Sequence, residues 1–176
     1  LFRRWINQGA KWGDHWAYLP VKETAVPVSN DTWTKNEIDH FILQKLQEQQ
    51  LKPSKAADKP TLLRRVSLDL IGLYPGDTLA QQFLGNNDST AYEQLVDSLL
   101  ASNQFGEKWA SMWLDLARYA DTKGYEADNG RDIWPYRDWV IRAFNNNMPY
   151  DQFIREQIAG DLKPSPTNDD LIATAF

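Results

Sequence analysis

From position 34 onward, large apolar side chains recur every third or fourth residue between breaks marked by proline and glycine. That spacing places them along one face of successive helices. Thr34 and Glu37 in "TKNE" read as a capping box. Behind it Ile38, Phe41, Ile42 and Leu46 form one stripe that stops at Pro53. A second helix opens near Pro60, buries Leu62, Leu63, Val66 and Leu70, and stops at Gly72 before the turn "YPGD". Short helices follow over 78–84, closed by Gly85, and over 90–101, with Tyr92, Leu95, Val96, Leu99 and Leu100 inward. The longest runs over 105–120 with Trp109, Met112, Trp113, Leu116 and Ala120 on a shared face. Pro135 suits the first turn of a helix over 135–145 that buries Tyr136, Trp139, Val140 and Phe144. Another, over 150–159, buries Phe153, Ile154 and Ile158 before Gly160, and Asn168 can cap a last one. No segment alternates polar and apolar residues as a half-buried strand does. The pattern predicts an all-α, compact domain of about six to eight helices.

The first thirty-two positions behave differently. Residues 1–9, "LFRRWINQG", read as a helix tail stopped by Gly9. Residues 10–32 hold Pro20 and Pro27 among apolar residues without a helical period, which predicts an extended connector. Its Trp12, Trp16 and Tyr18 are expected to lie against a neighbour. The expected organisation is a terminal helix of a preceding module over 1–14, a connector over 15–32 and the helical domain over 33–176, which continues past the final "DDLIATAF".

Composition narrows the function more than it defines it. Lysine and arginine number 19 against 24 aspartates and glutamates, a net charge of −5 with no basic block. Such a chain is a poor match for a phosphate backbone, so no nucleic-acid partner is expected. No apolar run approaches the roughly 20 residues of a membrane-spanning helix. Cysteine is absent, which excludes disulfides, zinc–sulfur sites and covalent c-type haem attachment within these residues. Eight tryptophans fit a Trp-rich helical core, a sugar-stacking surface or an interface with a neighbouring domain.

Candidate chemistry gathers between Leu114 and Trp139. Asp115 lies on the shoulder of the long helix; Asp121, Glu126, Asp128 and Asp132 then crowd a connector in which Gly124 and Gly130 allow sharp turns. Carboxylates on a loop suit a hard cation, so Asp121, Glu126, Asp128 and Asp132 are metal candidates, although their spacing does not match the known calcium loop. Paired acids can also cleave a glycosidic bond, with Asp115, Asp121 and Glu126 as catalytic candidates and a polysaccharide as partner. The structural alternative has these acids starting turns and pairing with Arg118, Arg131 and Arg137. His15 and His40 are isolated and make no metal triad.

Four strings add a resemblance: "HWAYLP" (15–20), "LLRRVSLDLIGLYP" (62–75), "FGEKWASMWLDLARYADTKGYEAD" (105–128) and "YRDWVIRAFNNNMPYDQFIREQIAGDL" (136–162). In this order they resemble a domain of unknown function from large exported proteins of planctomycetes and related bacteria, where it follows a cytochrome c module. The resemblance implies an extracytoplasmic protein with haem c in an upstream module, none in these residues, and a second uncharacterised domain downstream. It implies a docking module between those neighbours, or, alternatively, part of an extracellular oxidoreductase or polysaccharide-active enzyme with its acidic site at 115–132. No catalytic residue is implied by the family itself.

Overall fold

Backbone hydrogen bonding closes locally along most of residues 37–175, and the result is helical. The structure is a computed structural model that describes residues 1–29, 31–125 and 127–175. Among these, nine α-helices form and the sole strand-like pairing is an isolated bridge between Thr122 and Gly130. The chain divides into two units, residues 1–56 and 57–176.

The first unit holds α1 (Phe2–Asn7), a 3₁₀ turn at Trp16–Tyr18 and α2 (Glu37–Glu48). Gly9 takes a left-handed φ of 94° just beyond α1, as its place at the helix end requires. Trp12, Trp16 and Tyr18 are exposed rather than covered, Trp12 by 85%. The cap of α2 lies two residues later than the sequence pattern suggests. Asn36 accepts from the Asp39 N–H (3.0 Å), and the Asp39 carboxylate accepts from the Asn36 (3.3 Å) and Lys35 (2.8 Å) N–H groups. Thr34 instead donates its hydroxyl to the Asp31 carbonyl, so it takes no part in the box. The buried residue of α2 is Leu43, while Ile38 is 71% exposed.

The second unit contains two cores. The first joins α3 (Lys59–Ile71), α4 (Asp77–Gly85) and α5 (Ala91–Leu100) around Leu63, Val66, Ile71, Phe83, Leu95 and Leu99. Asp58 caps α3 through the Thr61 N–H at 2.9 Å, and Gly72 ends it in the left-handed conformation. Each fully buried leucine contributes roughly 1.5–3 kcal/mol. Tyr92 and Leu100, expected inward, lie at the rim and are exposed, because Ala91, Leu95 and Leu99 occupy the contact line.

The second core joins α6 (Asn103–Leu116), α7 (Trp134–Asn145), α8 (Tyr150–Ala159) and α9 (Asn168–Ala173), with a 3₁₀ turn at Gly160–Leu162. Helix α6 ends four residues short of the expected 120, because Arg118 turns the chain with a φ of 53°. Its buried line is Gly106 and Ala110, not the large residues. Met112 and Leu116 are exposed, Leu116 by 72%. A Cβ on Gly106 would sit 2.5 Å from the Ile141 carbonyl oxygen, so the small residue is what lets α6 and α7 approach. In α8 the buried residues are Phe153, as expected, and Gln157, while Ile158 is exposed. Thr167, one residue before the expected cap, forms a capping box with Asp170 on α9.

Two lateral anchors tie the cores together. From α6, Lys108 donates through Nζ to the Leu68 carbonyl and, at 2.7 Å, to that of Asp69. Trp109 Nε1–H donates to the Leu70 carbonyl at 3.2 Å. The last turn of α3 thus has its carbonyls satisfied by a cation and an indole, where a positive charge is favoured.

Candidate functional site

The indoles that the sequence places in the interior are divided by the fold. Trp139 is buried, whereas Trp109 and Trp113 are half-buried and line an open groove of about 490 Å³ between α6, α7 and α8. Phe105, Phe144, Met148 and Phe153 complete its walls, with Asn147 and Tyr150 at its edge. Beneath it the aromatic rings are locked by geometry. Trp113 meets Phe153 edge-on at 4.9 Å between centroids, and Trp139 stacks on Phe153 at 5.4 Å.

A buried polar triangle holds the floor of this groove. Trp113 Nε1–H donates to Gln157 Oε1 (2.9 Å) and to the Tyr136 hydroxyl (3.1 Å), and that hydroxyl donates to the same Gln157 oxygen (2.6 Å). The Gln157 amide returns one N–H to the Phe153 carbonyl at 3.1 Å. Burial raises the Tyr136 pKa above the ordinary phenol value, although the Trp113 hydrogen bond works against this. The phenol therefore stays neutral and able to donate. Hydrophobic patterning passes over Gln157 because it is polar; its place on the apolar face, four residues after Phe153, is the signal it leaves.

The acidic bend has a different construction from the one its composition suggests. The Thr122–Gly130 bridge is reinforced by the Lys123 N–H to Asn129 carbonyl bond (3.0 Å) and the Arg131 N–H to Asp121 carbonyl bond (2.9 Å). The Asp121 carboxylate accepts from the Tyr119 hydroxyl at 2.6 Å. Partial burial and that bond both raise the Tyr119 pKa. Asp128 accepts from Thr122 and from the Gly124 N–H (2.8 Å), and these bonds hold its carboxyl below the usual range. Asp115 and Asp132 are exposed, and Glu126 lies outside the described residues. Among the described residues no group of three His, Asp or Glu side chains is gathered as a metal would need.

Among the described residues, the expected guanidinium clamps on the acids of the bend do not form. Arg137 pairs with Asp138, its own neighbour, at 3.1 Å, and that bond raises its pKa. Neither Arg118 nor Arg131 has a described carboxylate within 4.0 Å. Backbone hydrogen bonds, together with the bonds accepted by the Asp128 and Asp121 carboxylates, hold the described part of the bend.

The two histidines are engaged locally. His15 Nδ1 accepts from the Ala17 N–H at 3.2 Å, and His40 Nδ1 shares a 3.3 Å hydrogen bond with the Ser29 hydroxyl. With no cysteine in the chain, these residues do not fit the attachment of a c-type haem.

A strand-poor, two-core helical domain with an aromatic groove and a hydrogen-bonded acidic bend defines the structural class. The chain belongs to the PSCyt2 family, described as a protein of unknown function (DUF1549), which it matches over residues 37–176. The match begins with the first residue of α2, so "HWAYLP" stands outside it. No curated protein and no solved structure matches the chain. Among the described residues, no helix is long and apolar enough to cross a membrane.

Proposed function

We propose that this is a docking module of an exported, cytochrome-associated polypeptide, and that the groove between α6, α7 and α8 receives an apolar surface of an adjoining domain. The observation that carries this reading is the groove itself: six aromatic side chains and a methionine beside the core, open to solvent. Sites for small polar substrates combine an apolar wall with a few convergent polar groups. Here the polar groups of the wall are already used: Trp109 is bound to the Leu70 carbonyl and Trp113 to Gln157. What is left to offer is apolar area, which suits protein side chains. The resemblance to domains lying between a haem module and a second uncharacterised domain supplies the partner. The haem would be held by the upstream module, and an extracytoplasmic location follows from the same resemblance.

A photo-reactive amino acid in place of Tyr150, at the groove edge, tests this in the full-length polypeptide. Cross-links from position 150 into an adjoining domain are expected, with none from a control at the exposed Glu93 of α5. Absence of interdomain cross-links at 150, or equal yields at both positions, contradicts the reading.

A further inference from the structure

Helix α9 is held by other means than the helices it touches, and independently of the groove. At six residues it is too short to keep its backbone bonds in water alone. Ala173 is its buried side chain, Ile172 packs partly against the second core, and Leu171 is exposed. Helix α7, by contrast, buries Tyr136, Trp139, Val140 and Ala143. An alanine methyl and part of one isoleucine return little apolar burial against the ordering of six residues. Polar contacts therefore decide whether α9 stays docked.

Those contacts converge on its first turn. Arg142 of α7 donates to Asp169 at 2.9 Å, but both side chains are half-exposed or more, and such pairs contribute little. The second cation, Lys163, is placed differently. Its Nζ lies 2.5 Å from Asp170 and 2.5 and 2.7 Å from the two carboxylate oxygens of Glu156 on α8. The side chains of Asp170 and Glu156 are only 13% and 12% exposed. One ammonium thus stands between two nearly covered carboxylates from different elements. Without it, like charges would face each other with little water to screen them. The fit is also tight: a Cβ on Gly160 would lie 2.5 Å from the Asp170 carbonyl oxygen.

We propose that α9 is a strap that opens and closes as a unit, with the Lys163 ammonium as its catch. Segments with few buried apolar contacts open locally well below the cost of global unfolding. Opening withdraws Ala173 and Ile172 from the second core and lets water reach that side of it. The Trp113–Tyr136–Gln157 network stays closed meanwhile, because its bonds are made by α6, α7 and α8 without α9. Loss of the positive charge at position 163 opens the strap and leaves the remaining fold in place.

The test is native-state hydrogen exchange on the full chain, read by NMR. In the parent, the Leu171, Ile172 and Ala173 amides should exchange faster than those of Val140 and Ala143 in α7. Their rates should barely rise with urea below the unfolding transition, as expected for a local opening that exposes little surface. Lys163→Met should speed these three amides about tenfold or more while Val140, Ala143 and α3–α5 keep their parent rates. Lys163→Arg, which keeps the charge, should stay close to the parent. Gly160→Ala leaves every charge in place and should speed the same amides by pushing α9 away. The Trp113 Nε1–H resonance should hold its position in both destabilised variants. Unchanged α9 exchange in Lys163→Met, acceleration of α6–α9 together in either variant, or failure of Lys163→Met to fold would overturn the proposal.

Discussion

The two cores of the second unit answer the same problem in opposite ways. The α3–α5 core is mostly aliphatic, with Phe83 as its buried ring, and the buried Ser67 Oγ has no hydrogen-bond partner among the described residues. The α6–α9 core is aromatic, and its buried polar atoms on Trp113, Tyr136 and Gln157 satisfy one another. Leucines pack in many orientations at similar cost, whereas a three-membered hydrogen-bond network tolerates few. The difference teaches where rigidity has been placed. The network fixes α6, α7 and α8 relative to one another, and those helices carry the groove.

Closest approach should be the most fragile element of the aromatic core. Gly106→Ala drives a methyl into the Ile141 carbonyl and the Asn145 side chain, which accepts from the Gly106 N–H at 2.7 Å. A loss of about 3 kcal/mol in urea unfolding is expected, near the upper end for overpacking. The same change at Gly85, where a Cβ meets nothing within 4 Å, should cost far less.

The network comes next. Gln157→Leu removes the acceptor of two buried donors and should cost about 2 kcal/mol. Adding Tyr136→Phe to that variant should cost less than Tyr136→Phe alone, since the hydroxyl has already lost its acceptor. Strictly additive losses in a double-mutant cycle would dissolve the contrast between the cores.

Ser67→Ala sharpens the comparison from the aliphatic side. It deletes a fully buried hydroxyl without a partner, so stability should stay level or rise by about 1 kcal/mol. A clear loss would mean that the hydroxyl has a use.

The smallest effect concerns the clamp on α9. Lys163 Nζ lies 2.5 Å from Asp170 and 2.7 Å from Glu156. The lysine bond, followed by bonds from Thr167, holds the Asp170 carboxyl well below the usual range. A depressed folded-state pKa contributes stability above the unfolded value of about 3.9 and loses it as pH falls through the folded one. Urea midpoints measured below pH 4 should therefore decline less steeply in Asp170→Asn than in the parent.

Much of this fold is legible in the residues. Pro60, Gly72, Gly85, Pro135 and Gly160 mark helix boundaries correctly, because backbone constraints act locally. Faces are harder to read. In α6 the contact with α7 is made by Gly106 and Ala110, so a pattern weighted by large apolar residues points to Met112 and Leu116, on the wrong side. The cap of α2 is displaced because Thr34 and Asn36 are both competent caps with an acid three residues on, Glu37 and Asp39, and the box that forms is that of Asn36. At the acidic bend, composition located the feature and its turn-fastening acid, Asp128, while the expected arginine pairs do not form among the described residues. Pairing of charges depends on tertiary direction, and part of the bend is closed by backbone hydrogen bonds, which no side-chain pattern reports.

Hydrogen exchange measured on the full-length polypeptide, compared with residues 1–176 alone, probes the groove most directly. Slower exchange in the larger protein is expected across 105–113 and 144–153, with α3–α5 unchanged between the two. Equal rates along the groove walls in both samples would contradict a docking role.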